Sequence, residues 1–194
     1  MIDLEEEIRD AAPARLRVGD WGLTVSGRQF WPQDPRIGDV DIIDIAHALA
    51  HQCRFAGHTH SFYSVAQHSI LVSRACRPEN ALIGLLHDAT EAYLQDIIKP
   101  LKRALIGYAD LERAWAYTIG LTFGLDDKLV ELGDDIHAAD RLVCIAERRD
   151  LMAPNWAWKY GADERCWADR IEPWSPERAR AEFLRRWRVL GGVR

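Results

Sequence analysis

The sequence predicts an all-α helical bundle that carries a small N-terminal β-hairpin. Three observations lead there. Apolar residues recur at intervals of three and four through most of the chain, which marks amphipathic helices. Proline, glycine and capping residues fall between those periodic segments rather than inside them. Only the stretch Trp21–Trp31 reads as strand and turn, with Ser26-Gly27 at its tip. With 194 residues, 48% of them hydrophobic, the chain can bury one sizeable core, so a single domain spanning 1–194 is expected.

In chain order, residues 1–12 read as a weak acidic helix, followed by the hairpin at 21–31 and a loop punctuated by Pro32, Pro35 and Gly38. Asp41 is placed to cap a helix from Ile42 to about Cys53. Ile42, Ile45, Ala46, Leu49 and Cys53 would share its inner face, with Asp44, His47 and His51 opposite. Residues 54–63 lack a helical period and read as a loop. Ser64-Val-Ala-Gln67 is a capping-box signature, so a helix is expected from Val65 to Cys76. Pro78 suits the first turn of the next helix. Ala81–Leu94 reads as one central helix, and Pro100 ends the following segment as a loop. Further helices are expected over Leu111–Phe123, with Gly124 as its stop, over Asp127–Met152, and from Ser175 to Leu190. Residues 153–194 form a tryptophan-rich extension beyond a core of about 40–152.

Composition removes several classes of function. A net charge of −5 disfavours general affinity for a nucleic acid polymer. The four cysteines form no CxxC pair, so they read as reduced thiols rather than a disulfide framework. No apolar run is long enough to span a bilayer and the acidic N-terminus has no signal-like core, so a cytoplasmic protein with no membrane contact is expected. The excess of tryptophan suggests a homodimer or higher homo-oligomer.

The central segment Ala81–Leu94 is apolar around most of its circumference. One stripe differs: Gly84, His87, Asp88 and Glu91 fall within an arc of about 100°. Ionisable groups on so apolar a helix are costly to bury unless they are paired or bind a metal. On the preceding helix His68 shares the face of Leu71, Val72 and Ala75, so its imidazole points into the core. On the later helix Asp140 lies beside Ile136, Ala139, Val143 and Ala146. Each position alone has a bland explanation, a hydrogen-bonded core histidine or an aspartate paired with Arg141 or Arg148. Together they place two imidazoles and two carboxylates on three core-facing helices, a donor set suited to a divalent cation with open positions.

The order His68, His87-Asp88, Asp140 resembles the HD-domain metal-dependent phosphohydrolases. The wider match runs through Tyr63-Ser-Val-Ala-Gln-His68-Ser, Leu85-Leu-His87-Asp88-Ala-Thr-Glu91-Ala, Asp96-Ile-Ile-Lys-Pro-Leu-Lys102 and Ala139-Asp140-Arg. It is similar to the short bacterial 5′-deoxynucleotidases and the phage dATP triphosphohydrolases. The resemblance implies an HD-domain helical bundle with His68, His87, Asp88 and Asp140 as metal ligands. Mn, Co, Zn, Ni or Fe would suit that site, with additional Mg accompanying a polyphosphate. It further implies Glu91 and Asp96 as the catalytic acids, in unassigned order, and a phosphate held by Arg54 and Lys102. Lys99 is a second candidate for that role, and Phe55 would pack on sugar or base. The implied substrate is a nucleotide. Release of phosphate from a deoxynucleoside monophosphate is the first expectation, and release of triphosphate the alternative. A catalytically silent nucleotide-binding module is the rival from another class. Dinuclear members of the HD-domain family carry extra histidines between the His-Asp pair and the last Asp; here the only one is His137, so the resemblance implies one tightly held metal rather than two. His58 and His60, in the loop before His68, are weaker candidates for substrate contact. His47 and His51 read as surface.

Overall fold

The computed structural model describes residues 16–154 and 166–192. The expected helix at 1–12 and part of the tryptophan-rich extension lie outside those residues. The described chain is mostly α-helical, with one two-stranded antiparallel hairpin. Strand β1 (Gly22–Leu23) pairs with β2 (Gln29–Phe30), Gly22 opposite Phe30. The tip turns at Gly27, whose φ of +80° favours glycine.

The helices are α1 (Ile42–His51), α2 (Val65–Ala75), α3 (Ala81–Leu86), α4 (Glu91–Leu94), α5 (Lys99–Lys102), α6 (Tyr108–Thr122), α7 (Asp134–Leu151) and α8 (Pro176–Val189). Side-chain caps fall where the sequence places them. Asp41 accepts from the Ile43 backbone, Ser64 from Gln67 and Ser175 from Arg178, each at a helix start.

The bundle centres on α2 rather than on the 81–94 segment. Every residue from Val65 to Ser73 is buried. Helix α2 packs against α1, α3, α7 and α8. Its buried polar residues Gln67, His68, Ser69 and Ser73 all have hydrogen-bond partners. The second half of the expected capping box is absent, because Gln67 turns away from its own helix. Its amide donates to the Glu172 carbonyl and accepts from the Trp174 backbone N–H, pinning the C-terminal segment.

Four further departures concern helix bounds. The expected helix 81–94 is broken: α3 ends at Leu86, residues 87–90 form tight turns, and α4 restarts at Glu91. Helix α7 begins at Asp134, not near 127, because turns occupy 126–130 and Gly133 sits extended at its N-cap. Helix α6 starts three residues earlier than expected, after Gly107 at φ +79°. Residues 99–102 form the single turn α5, with Pro100 inside its first turn where no donor is needed.

Asp44 is also misplaced by the periodicity. It is 3% exposed because the hairpin covers it: the Ser26 backbone N–H and hydroxyl donate to its two oxygens at 3.0 and 2.7 Å. No disulfide links the four cysteines. Among the described residues, no helix is long and apolar enough to cross a membrane.

Candidate metal centre

Three chain segments converge where α2 and α7 meet the turn between α3 and α4. Helix α2 carries His68, fully buried. The turn carries His87 and Asp88, and α7 carries Asp140. His68 Nε2 lies 3.3 Å from His87 Nε2 and 3.2 Å from Asp140 Oδ1. Asp88 Oδ2 lies 3.1 Å from His87 Nε2 and 3.5 Å from His68 Nε2. One donor atom each from His68, His87 and Asp140 falls within 4.8 Å of the others, the only such group among the described residues.

The tautomers decide what this cluster wants. His87 Nδ1 lies 2.9 Å from the Gly84 carbonyl, which can only accept, so Nδ1 carries the proton. His68 Nδ1 lies 2.6 Å from Glu147 Oε1, and a carboxylate again only accepts. When the rings are neutral, both Nε2 lone pairs therefore point at one another and at two carboxylates. Such an arrangement needs a shared cation, either a proton or a metal. Two imidazoles plus carboxylate oxygens fit a borderline divalent ion.

The electrostatics agree. Burial and Arg54 disfavour charge on His68, yet Glu147 and Asp140 outweigh them and hold its pKa up at about 9. Burial opposes the charge on Asp88 and Asp140. The histidine rings outweigh it and keep both well below the usual carboxylate range.

The remaining candidates fall around this cluster. Arg54 lies just before the turn of a short, irregular segment, with Phe55, Ala56 and Gly57 all at positive φ. Its guanidinium spans two acids: Nη1 is 3.5 Å from Asp88 Oδ2 and Nη2 is 3.3 Å from Glu147 Oε2. Its Nε is buried without a hydrogen-bond partner. Phe55 packs its ring 5.1 Å from the guanidinium carbon.

Glu91 is buried, and its Oε2 has no hydrogen-bond partner. Burial, then Asp88 and Asp96, raise its pKa well above the ordinary value. Burial likewise raises Asp96. Lys102 lies 3.5 Å from Glu91 and 2.6 Å from Glu112, so its charge is already shared between two acids. Lys99 is exposed and stands 4.0 Å from Asp140 Oδ2.

His58 and His60 are exposed, and the His60 backbone ties its loop to the Leu151 carbonyl. His47 and His51 stack at 4.1 Å on α1, away from the cluster. A cavity of about 430 Å³ opens beside His87, lined also by Thr90, Glu112, Ala116, Leu129 and His137. His137 thus belongs to the cavity wall rather than to the metal-type group.

Glu147 was not anticipated from the sequence. It is fully buried on α7 and accepts from His68, from Arg54 and, at 2.8 Å, from the Tyr63 hydroxyl. Arg54 and His68 hold its pKa down against burial. A signal existed: Glu147 follows Asp140 by seven residues, so it recurs on the same α7 face beside Val143 and Ala146.

Fold and cluster together define a helical protein with a buried histidine–aspartate centre able to hold a metal ion. Two relatives share this sequence closely. The uncharacterized protein YfdR of Escherichia coli (strain K12) is 43% identical over 128 residues, covering 66% of this chain and 70% of that protein. The uncharacterized protein RCAP_rcc00048 of Rhodobacter capsulatus is 35% identical over 188 aligned positions, covering 88% of this chain and 95% of that protein. The chain belongs to the family these two proteins represent. No protein-family model matches it.

Proposed function

We propose that this chain is a metal-dependent phosphohydrolase of the HD-domain type, releasing phosphate from deoxynucleoside monophosphates. The observation that carries the reading is the meeting of the His68 and His87 Nε2 atoms at 3.3 Å, with Asp88 and Asp140 oxygens beside them. His68, His87 and Asp140 would hold the cation, with Asp88 alongside. A bound divalent ion supplies Lewis-acid charge and lowers the pKa of water toward neutrality.

The chain's own groups account for the rest. Phosphoryl transfer asks mainly for positioning and charge cancellation. Arg54 offers a planar fork for phosphate oxygens, and its unpartnered Nε supports such a role. Lys102, on loan from Glu112 and Glu91, is a second positive charge. Water oxygen bonds to phosphorus as one of Glu91 and Asp96, ionised, takes one of its protons; the phosphorus–ester oxygen bond breaks, and the nucleoside leaves with a proton from the other acid on its 5′ oxygen. Glu91 and Asp96 both hold protons more tightly than ordinary carboxyls, which suits one of them to deliver that proton. The cavity beside His87 is of a size usual for small-molecule sites and gives the nucleoside a place to lie.

Charge favours the monophosphate over the triphosphate. Asp88, Asp140 and Glu147 share Arg54, Lys99 and the His68 ring, and Glu91 pairs with Lys102. A dianion with one cation matches that balance better than a chain of phosphates carrying about four charges.

The test is a panel of nucleoside mono-, di- and triphosphates with Mn²⁺, Co²⁺ or Mg²⁺, resolving phosphate, pyrophosphate and triphosphate. Phosphate from deoxynucleoside monophosphates, lost in Asp140→Asn, is the expected result. Triphosphate as the main product would transfer the assignment to a triphosphohydrolase. Binding of nucleotides without turnover, under every metal, would leave a silent binding module and overturn the reading.

A further inference from the structure

We infer that Glu147 is a positioning residue whose single buried carboxylate fixes both the metal-binding histidine and the anion-binding arginine. The His68 half rests on the metal centre alone, and the Arg54 half on the proposed phosphate role.

The two oxygens of Glu147 are divided. Oε1 accepts from His68 Nδ1 at 2.6 Å and from the Tyr63 hydroxyl at 2.8 Å. Oε2 accepts from Arg54 Nη2 at 3.3 Å. His68, Tyr63 and Glu147 are each fully buried, so neither bond at Oε1 competes with solvent. Without Glu147 the His68 ring could place its proton on either nitrogen. With it, Nδ1 is the donor and the Nε2 lone pair is aimed at His87 and Asp140. Carboxylates that accept from the far nitrogen of a metal-binding histidine commonly orient the ring and raise its basicity, and losing them weakens metal binding by about 10- to 100-fold.

A different partner would not serve. His87 takes its orientation from the Gly84 carbonyl, a neutral acceptor within its own segment. His68 takes it from an ion that also touches Arg54, which in turn reaches Asp88. One carboxylate therefore connects α2, α7 and the loop before α2.

Glu147→Gln is nearly isosteric and keeps an oxygen for His68, but removes the charge. Tyr63→Phe is the control: it removes one buried hydrogen bond to the same carboxylate and leaves the His68 and Arg54 bonds in place. Circular dichroism and thermal melts establish that each variant folds. Mn²⁺ and Co²⁺ affinities are then measured by calorimetry or chelator competition. The expected result is about a 10- to 100-fold weaker metal affinity for Glu147→Gln and a change below about 3-fold for Tyr63→Phe. Should Glu147→Gln bind metal as tightly as the parent, or Tyr63→Phe lose as much affinity, Glu147 would be a packing residue only. A parent protein that binds neither ion would instead remove the metal centre itself. If Glu147→Gln fails to fold, Glu147→Asp replaces it. Its carboxylate is retained but set back by one methylene, and an affinity equal to the parent's overturns the inference.

Discussion

Replacing Arg54 by lysine keeps the charge but loses the fork. The guanidinium bridges Asp88 and Glu147, and an ammonium cannot span both while also meeting a phosphate. Charge-assisted bonds of this kind are worth roughly 1.5–3 kcal/mol, about 10- to 100-fold in affinity. Arg54→Lys should therefore raise the KM for nucleotide, or the Kd for inorganic phosphate, by that factor, and leave Mn²⁺ affinity within about 3-fold. Equal loss on metal and phosphate would show that Arg54 holds the centre together rather than the anion. At this scale the sequence is informative only where a residue contradicts its surroundings. His68 stands out because an imidazole sits on an apolar face, and the fold buries it completely. Asp140 stands out for the same reason, and its Oδ1 lies 3.2 Å from His68 Nε2. Glu147 contradicts its stripe just as clearly. It passes unnoticed because glutamate is so common on helix surfaces, although its place on the Val143 and Ala146 face sets it apart. Lys102 is identifiable by position, but its engagement with Glu112 depends on how α5 meets α6.

Helix starts are local chemistry, so Asp41, Ser64 and Ser175 mark them in the sequence and in the structure alike. Helix interruptions are tertiary, and the break at 87–90 has no glycine or proline to announce it. It is the break that lets His87 and Asp88 both turn toward α2, with the His87 Nδ1–H reaching back to the Gly84 carbonyl. Gly84 itself reads from the sequence as part of a polar stripe. In the fold it is the contact point of α3 on α2: a Cβ there would meet Cys76 Sγ at 2.6 Å and the Ser73 Cα at 3.3 Å. The second neighbour is backbone and cannot rotate away. Gly84→Ala should therefore push α3 outward and cost about 1–3 kcal/mol, the usual range for overpacking. Because His87 rides on the end of α3, the same variant should bind Mn²⁺ more weakly. Urea midpoints and metal titrations check the two effects separately. A variant with parental stability would show that α2 and α3 can slide apart freely.

The molecule holds its outlying segments with buried or half-buried carboxylates rather than with apolar area alone. Arg17 pairs with the buried Asp39, and Asp44 fastens the hairpin tip. Asp135 accepts from the Arg77 backbone and from Asn80, tying the turn before α3 to the start of α7. Asp150, at the other end of α7, accepts from the Ile171 backbone and from Arg149, whose guanidinium reaches the Trp167 and Asp169 carbonyls. Apart from the adjacent pair Arg149–Asp150, these links join residues far apart in sequence, so their absence from any sequence reading has a simple cause: nothing local specifies the partner. They also carry a pH signature. The Asn80 amide holds the Asp135 pKa below its ordinary value of 3.8, and Arg149 does the same for Asp150. As pH falls, the unfolded chain takes up these protons first. The stability the two links contribute is thus complete above about pH 4–5 and is lost as pH drops through the lower folded-state values. Urea midpoints of the metal-free protein, measured from about pH 6 down to about pH 2.5, should decline on that limb. The double variant Asp135→Asn, Asp150→Asn should start lower at pH 6 and decline less steeply, since its amides have no proton to gain. Parallel acid limbs for parent and variant would mean that other carboxylates, those around His68 among them, govern the acid response.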